Sequence, residues 1–184
     1  MFHELEYKYK ADNVGYLDFK NLMETLDPKK VIEISSPDTY FKSKDDSKFL
    51  RFRNGLTPEL TFKVKIDEAN NWDRIEVDLP LDYARINRET ASKFATLLGY
   101  IENFTIYKSC FVYIMEEVNY VYYIVFDENM KEKGRFVEVE VNKEKVQDLE
   151  QGKALLNDSA EKLKSLGLTP QNRMKKSLFE LYRK

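Results

Sequence analysis

Hydrophobic and polar residues alternate with period two through most of this chain, the pattern of strands that present unlike faces. Runs rich in Val, Ile, Tyr, Phe and Thr predict eight strands, over residues 3–10, 31–42, 48–54, 59–66, 73–79, 103–116, 120–128 and 135–142. Three stretches carry helical spacing instead. Val14, Leu17, Leu22, Met23 and Leu26 follow Asp12-Asn13, whose side chains can accept the free N–H bonds of a helix start. A second helix is expected after Asn87, stopping at Gly99. A third region, 143–166, carries Val146, Leu149, Leu155, Ala160, Leu163 and Leu166, ends at Gly167 with Pro170 beyond, and is expected to break or bend at Gly152. Residues 42–48 read as a solvated hairpin loop, and Glu117-Val118-Asn119 as a tight turn between the two longest strands. The fold class is α+β, mostly β.

Splitting each strand into faces sorts the charge. Residues 3–10 put Glu4, Glu6, Lys8 and Lys10 on one face and Leu5, Tyr7 and Tyr9 on the other. Arg51 and Arg53 oppose Leu50 and Phe52; Thr61, Lys63 and Lys65 oppose Phe62 and Val64. Arg74, Glu76 and Asp78 oppose Ile75, Val77 and Leu79, and Glu138 and Glu140 oppose Val137, Val139 and Val141. The commonest meaning of such alternation is a half-buried sheet with a solvated face. Three features favour a closed sheet with the charges inside. Acids gather at the first and last strands and bases at the third and fourth, whereas a solubilising face intersperses the signs. Like charges two apart on one face repel unless an anion lies between them. The helices, finally, need an apolar outer surface to cover. Closing eight strands leaves an interior wide enough for side chains and a small ligand.

Composition narrows the ligand. The chain has 184 residues, 34% of them charged, with 30 Lys+Arg against 32 Asp+Glu. Twelve Phe and twelve Tyr exclude a disordered chain. No apolar run approaches the ~18 residues of a membrane span, and charge begins at Glu4, so a soluble, cytoplasmic protein without a secretory leader is expected. Cys110 is the only cysteine, which leaves no internal disulfide and no Cys-based metal cage. A net charge of −2 gives no bulk attraction to nucleic acid or membrane. A lumen mixing bases and acids suits a polyphosphate carried with a divalent metal: guanidinium and ammonium groups grip phosphate oxygens, and carboxylates hold Mg²⁺ or Mn²⁺.

Glu4-Leu5-Glu6-Tyr7-Lys8 resembles the ExExK signature of the CYTH family, the triphosphate tunnel metalloenzymes, which includes class IV adenylyl cyclases, thiamine triphosphatases and inorganic triphosphatases. An ordered series supports it. Asp38-Thr39-Tyr40 resembles the family's D-x-Y, Arg51-Phe52-Arg53 its R-x-R, Lys63-Val64-Lys65 its basic fourth strand and Arg74-Ile75-Glu76-Val77-Asp78 its R-x-E-x-E. Lys108 resembles the start of its K-x-R, Asp127 its aspartate after an apolar strand, Glu138-Val139-Glu140 its closing E-x-E, and Ser177-Leu178-Phe179-Glu180-Leu181 a degraded C-terminal tail. The resemblance covers essentially the whole chain, 1–184, as a single domain, and implies an eight-stranded antiparallel β-barrel with helices packed outside. It implies that Glu4, Glu6, Glu138 and Glu140 bind Mg²⁺ or Mn²⁺, with Asp127 helping to hold metal or orient the attacking group. Lys8, Arg51, Arg53, Lys63, Lys65 and Lys108 would grip the triphosphate. Two departures stand out. Cys110 replaces the Arg of K-x-R, with Arg135 or the Arg173, Lys175 and Lys176 cluster as candidate replacements, and the tail lacks its Tyr.

The resemblance implies a metal-dependent enzyme on a triphosphate-containing small molecule, without choosing the reaction. Hydrolysis is the first reading, because it asks for no base-recognition pocket. A class IV adenylyl cyclase, making cyclic AMP and pyrophosphate, is the alternative, and a phosphoryl-binding domain that has lost catalysis is the third. Nucleic acid and membrane are not expected partners; the oligomeric state is open, a homodimer included. His3 is expected at the rim or in packing, Trp72 in a turn beside Asn70-Asn71 as a cover over the barrel end, Tyr120, Tyr122 and Tyr123 in sheet packing, and Cys110 as a small lumen residue.

Overall fold

In the computed structural model of the protein, the described residues are 3–44, 48–55, 58–67, 70–82, 87–142, 144–146 and 148–183, with residues 3, 4, 65–67 and 70–74 described by their backbone. The alternating runs form β1 (His3–Lys10), β2 (Lys30–Lys42), β3 (Lys48–Arg53), β4 (Glu59–Asp67), β5 (Asn70–Pro80), β6 (Ile101–Ile114), β7 (Val118–Phe126) and β8 (Glu132–Val141). All pair antiparallel in the cyclic order β1-β5-β4-β3-β2-β6-β7-β8, so the sheet closes on itself as a barrel. Its longest ladder joins β2 to β6, from Lys30 opposite Ile114 to Lys42 opposite Ile101. At the closure, among the described residues, β1 meets β5 from His3 opposite Ile75 to Leu5 opposite Asp73, while Glu6 to Lys10 pair with β8. Farther along the same edge of β1, the Met174 N–H donates to the Lys8 carbonyl at 2.7 Å, so residues 173–174 run where β5 has left.

The apolar outer faces are covered by helices, as the charge sorting predicts. On the β1, β7 and β8 side, α1 (Tyr16–Glu24) buries Phe19 and Met23, and α3 (Leu149–Lys162) buries Leu156 and Ala160, against Leu5, Tyr7, Tyr120, Tyr122, Val137 and Val139. α2 (Arg88–Leu97) lays Ala91 and Ala95 on Phe41, Leu50, Phe52 and Leu60. Asn87 caps α2 as expected, its side chain accepting the Thr90 N–H at 3.0 Å.

Four local expectations are corrected. Asp12 does not cap α1, whose N-cap is Gly15; its Oδ1 accepts the Arg135 N–H at 3.1 Å and so ties the end of β1 to β8. Gly152 does not break α3. It is buried where the helix touches β1, and a Cβ there would stand 2.6 Å from Leu5 Cδ1, so glycine permits the approach. The β6–β7 turn falls at 115–117, because Val118 already pairs with Val141. Trp72 lies within β5 rather than in a turn, and its side chain, like that of His3, falls outside the described residues. Residues 45–47 of the basic loop also lie outside them. A fourth helix, α4 (Leu178–Tyr182), has no counterpart in the periodicity. Ser177 caps it in a capping box with Glu180, and it plugs one barrel end by burying Leu178 and Phe179 among Tyr40, Phe49, Phe104 and Phe136.

Candidate active site

Because side chains alternate along each strand, closure turns one face of every strand inward, and these faces line a cavity of about 480 Å³. Its walls differ. Glu6 and Lys8 of β1, Arg51 and Arg53 of β3, Glu59 and Lys63 of β4, Glu76 and Asp78 of β5, and Glu138 and Glu140 of β8 make a charged wall. The inward faces of β2, β6 and β7 supply Ile34, Ser36, Tyr40, Lys108, Cys110, Val112, Asn119, Val121 and Tyr123. Phe179 of α4 closes one end, stacked on Phe49 at 4.7 Å between ring centroids. The other end is bordered by Asn119, Glu140, Asn142 and Glu144.

The five lining cations are all held by carboxylates. Lys8 Nζ lies 3.1 Å from Glu6 and 2.7 Å from Glu138. Arg53 grips Asp38 in two-toothed fashion, Nε to Oδ1 at 3.0 Å and Nη2 to Oδ2 at 3.2 Å, and Lys108 Nζ reaches the same Oδ2 at 2.9 Å. Arg51 donates to Glu59 at 2.9 Å and to the Thr61 hydroxyl at 2.8 Å, and Lys63 pairs with Glu76. Two neutral groups hold the carboxylates of β8: Tyr123 donates to Glu138 at 2.8 Å, and Asn119 Nδ2 to Glu140 at 2.9 Å.

These contacts decide the protonation states. Burial alone would raise the Asp38 carboxyl, but the charges of Lys108, Arg53 and Arg51 outweigh it and hold the group well below the usual carboxylate range. Asp38 is thus an anion sealed in the wall, fixing Arg53 and Lys108. Burial, and then the charge of Glu138, push the Tyr123 phenol well above its ordinary value, so it stays a hydrogen-bond donor. Burial likewise pushes the Cys110 thiol up to about 11 despite Lys108 and Arg53, leaving it neutral at physiological pH.

The family profile of the CYTH domain matches residues 3–177. The chain belongs to the CYTH family. Its barrel superposes on the PH1012 protein of Pyrococcus horikoshii with a TM-score of 0.77 at 25% identity, over 97% of this chain and 98% of that one. A conserved hypothetical protein of Pyrococcus furiosus gives 0.75 at 29% identity, over 97% and 99%. A "putative adenylate cyclase" of Vibrio parahaemolyticus gives 0.67 at 13% identity over 97% and 96%, a likeness of fold alone. No curated protein matches the chain.

Of the CYTH positions read from sequence, the structure brings Glu6, Lys8, Arg51, Arg53, Lys63, Lys108, Glu138 and Glu140 onto the one cavity. The side chains of Glu4 and Lys65 fall outside the described residues; their backbones lie in β1 and β4. Asp127 is not brought to the cavity. It follows β7, and its Oδ1 accepts the Lys131 N–H at 3.0 Å and the Asn129 N–H at 2.9 Å, bonds that build the turn into β8 and lower its carboxyl. Neither candidate replacement for the missing arginine reaches the cavity. Arg135 pairs with Glu132 and Arg173 lies 3.3 Å over the Tyr7 ring on the outer face. Lys175 and Lys176 are exposed. Sequence reasoning did not single out Asp38, Glu59, Tyr123 or Asn119 as site residues. Asp38 carried a motif signal, while β7 beyond Asn119 is aromatic or aliphatic on both faces and Asn119 itself read as part of a turn.

CYTH proteins are a metal-dependent tunnel family, and the donors here suit a hard cation. Glu6 stands opposite Glu140 across β1 and β8, and Glu138 is opposite Lys8. An ammonium, Lys8, sits between Glu6 and Glu138 in the place a cation would fill. Among the described residues no three such groups already converge as a closed metal cage. Oxygen donors of this kind fit Mg²⁺ or Mn²⁺, which keep several waters and complete their shell with phosphate oxygens.

Proposed function

We infer that this CYTH chain is a divalent-metal-dependent enzyme that hydrolyses a triphosphate held in the barrel. One observation carries the reading: five cations from β1, β3, β4 and β6 meet in one cavity inside the barrel. Like charges so confined are costly unless an anion answers them. Carboxylates do so here, yet an all-protein network needs no cavity of about 480 Å³ at its centre. Arg51, Arg53, Lys63 and Lys108 suit the phosphate oxygens, and Asp38 fixes two of them before any ligand arrives. Glu6, Glu138 and Glu140 would hold Mg²⁺ or Mn²⁺, with Glu4 the family's fourth position. Bound there, the metal would neutralise phosphate charge and polarise the reacting P–O bond. Lys8, relieved of its carboxylates, would then face the phosphates.

Incubation of the protein with inorganic and nucleoside triphosphates and Mg²⁺ or Mn²⁺, with products resolved by chromatography, tests this. Orthophosphate release that EDTA abolishes is the expected result, and Arg53→Ala should lower kcat/KM by about 10²-fold or more. Cyclic nucleotide plus pyrophosphate would replace hydrolysis with the cyclase reaction. Turnover of no triphosphate would overturn the enzymatic reading.

A further inference from the structure

The charged wall accounts for phosphates; it leaves the opposite wall without a purpose. Moving along β6 from the plug towards the open end, the inward residues are Phe104, Ile106, Lys108, Cys110 and Val112, so the wall turns apolar beyond the lysine. Its neighbours change in step. On β2, Ser36 stands opposite Lys108, but Ile34 stands opposite Cys110; on β7, Val121 stands opposite Val112. Ile34, Cys110, Val112 and Val121 therefore form one patch across three adjacent strands, facing into the cavity.

The apolar groups at the two ends of the cavity are in different states. At the plugged end Tyr40 and Phe179 are buried to 3% and 1% exposure by one another and by Phe49 and Phe104. At the open end Ile34, Cys110 and Val112 stay partly exposed on the cavity wall and Val121 keeps 8% exposure, Cys110 and Val112 packing against the edge of the same apolar cluster. The thiol adds no charge, since burial keeps it protonated. A cavity of this volume falls within the ~300–1,000 Å³ of sites for organic ligands.

We propose that Ile34, Cys110, Val112 and Val121 form a subsite for the organic group of the substrate, which is an organic triphosphate with a flat or largely apolar group joined to its phosphates. Inorganic triphosphate, charged throughout, gains nothing from this wall. The arrangement also sets a direction: with the organic group at the open end, the terminal phosphate points inward past Lys108. The proposal rests on the triphosphate reading above and names the substrate class it left open.

Titration calorimetry in Mg²⁺ compares inorganic triphosphate with the β,γ-imido analogues of adenosine, guanosine, cytidine and uridine triphosphates. At least one analogue should bind roughly tenfold tighter than inorganic triphosphate. Ile34→Ser should erase most of that margin and leave inorganic triphosphate unaffected; Val112→Thr, close to isosteric, should reduce it in the same sense and guards against a folding defect in the first variant. Inorganic triphosphate binding as tightly as every analogue, or variants weakening both ligand classes alike, would overturn the subsite while leaving a triphosphate enzyme in place. Binding of neither class would overturn the triphosphate reading itself, and the subsite with it.

Discussion

At the scale of single residues, Asp38 shows how a tunnel can concentrate cations and remain stable. It is fully buried, clasped by Arg53 and touched by Lys108. Asp38→Asn would take from Lys108 its carboxylate and leave Arg53 with Glu59 alone, at 3.2 Å, a loss of about 3–5 kcal/mol for breaking a buried pair from one side. The same contacts give a pH signature. The folded carboxyl is depressed, so its contribution is fully present above the unfolded value of about 3.9 and is lost progressively as pH falls below that towards the folded value. Urea midpoints between pH 7 and pH 2 should therefore fall more steeply below about pH 4 in the wild type than in Asp38→Asn. Parallel curves would mean that the depression is not there. Asp38 was legible in the sequence only as a motif letter, because alternation says which way a side chain points and not which partner it meets.

Among elements, the strands were legible and the plug was not. Each strand has an apolar face long enough to show its period, and Asn87 and Gly99 mark the bounds of α2 by local chemistry. α4 has five residues, too few for a helical period, and exists because Phe179 has rings to stack on: Phe49 at 4.7 Å and, farther off, Phe104 and Tyr40. Its stability is tertiary. Phe179→Ala should accordingly release the segment rather than unfold the barrel. Hydrogen exchange would show amides of 177–182 losing protection while the β2–β6 ladder keeps its own. Loss of protection throughout the barrel would make α4 part of the global core instead. β7 illustrates the opposite failure of legibility. Beyond Asn119 both its faces are aromatic or aliphatic, so Tyr123 read as sheet packing although it reaches inward to Glu138.

For the molecule as a whole, the arithmetic of the cavity predicts how ligand and metal must cooperate. Among the described lining residues there are five cations and seven carboxylates, so the space is net negative before a polyanion enters. Its cations are already paired within about 3 Å. A triphosphate alone must compete with Glu6 and Glu138 for Lys8, and adds its own charge to that of the lining carboxylates. A divalent metal held by Glu6, Glu138 and Glu140 would offset this by neutralising those carboxylates and freeing Lys8, which pairs with two of them, for the phosphates. Metal and triphosphate should thus stabilise the fold together far more than their separate effects summed. In a thermal-shift comparison, triphosphate with EDTA and Mg²⁺ without triphosphate should each move Tm little. Both together, at a hundred times the apparent Kd, should add about 2.7 kcal/mol, a shift of several degrees. A full shift from triphosphate in EDTA would show that the cations bind phosphate without help, and the carboxylates of β1 and β8 would then need a purpose other than metal.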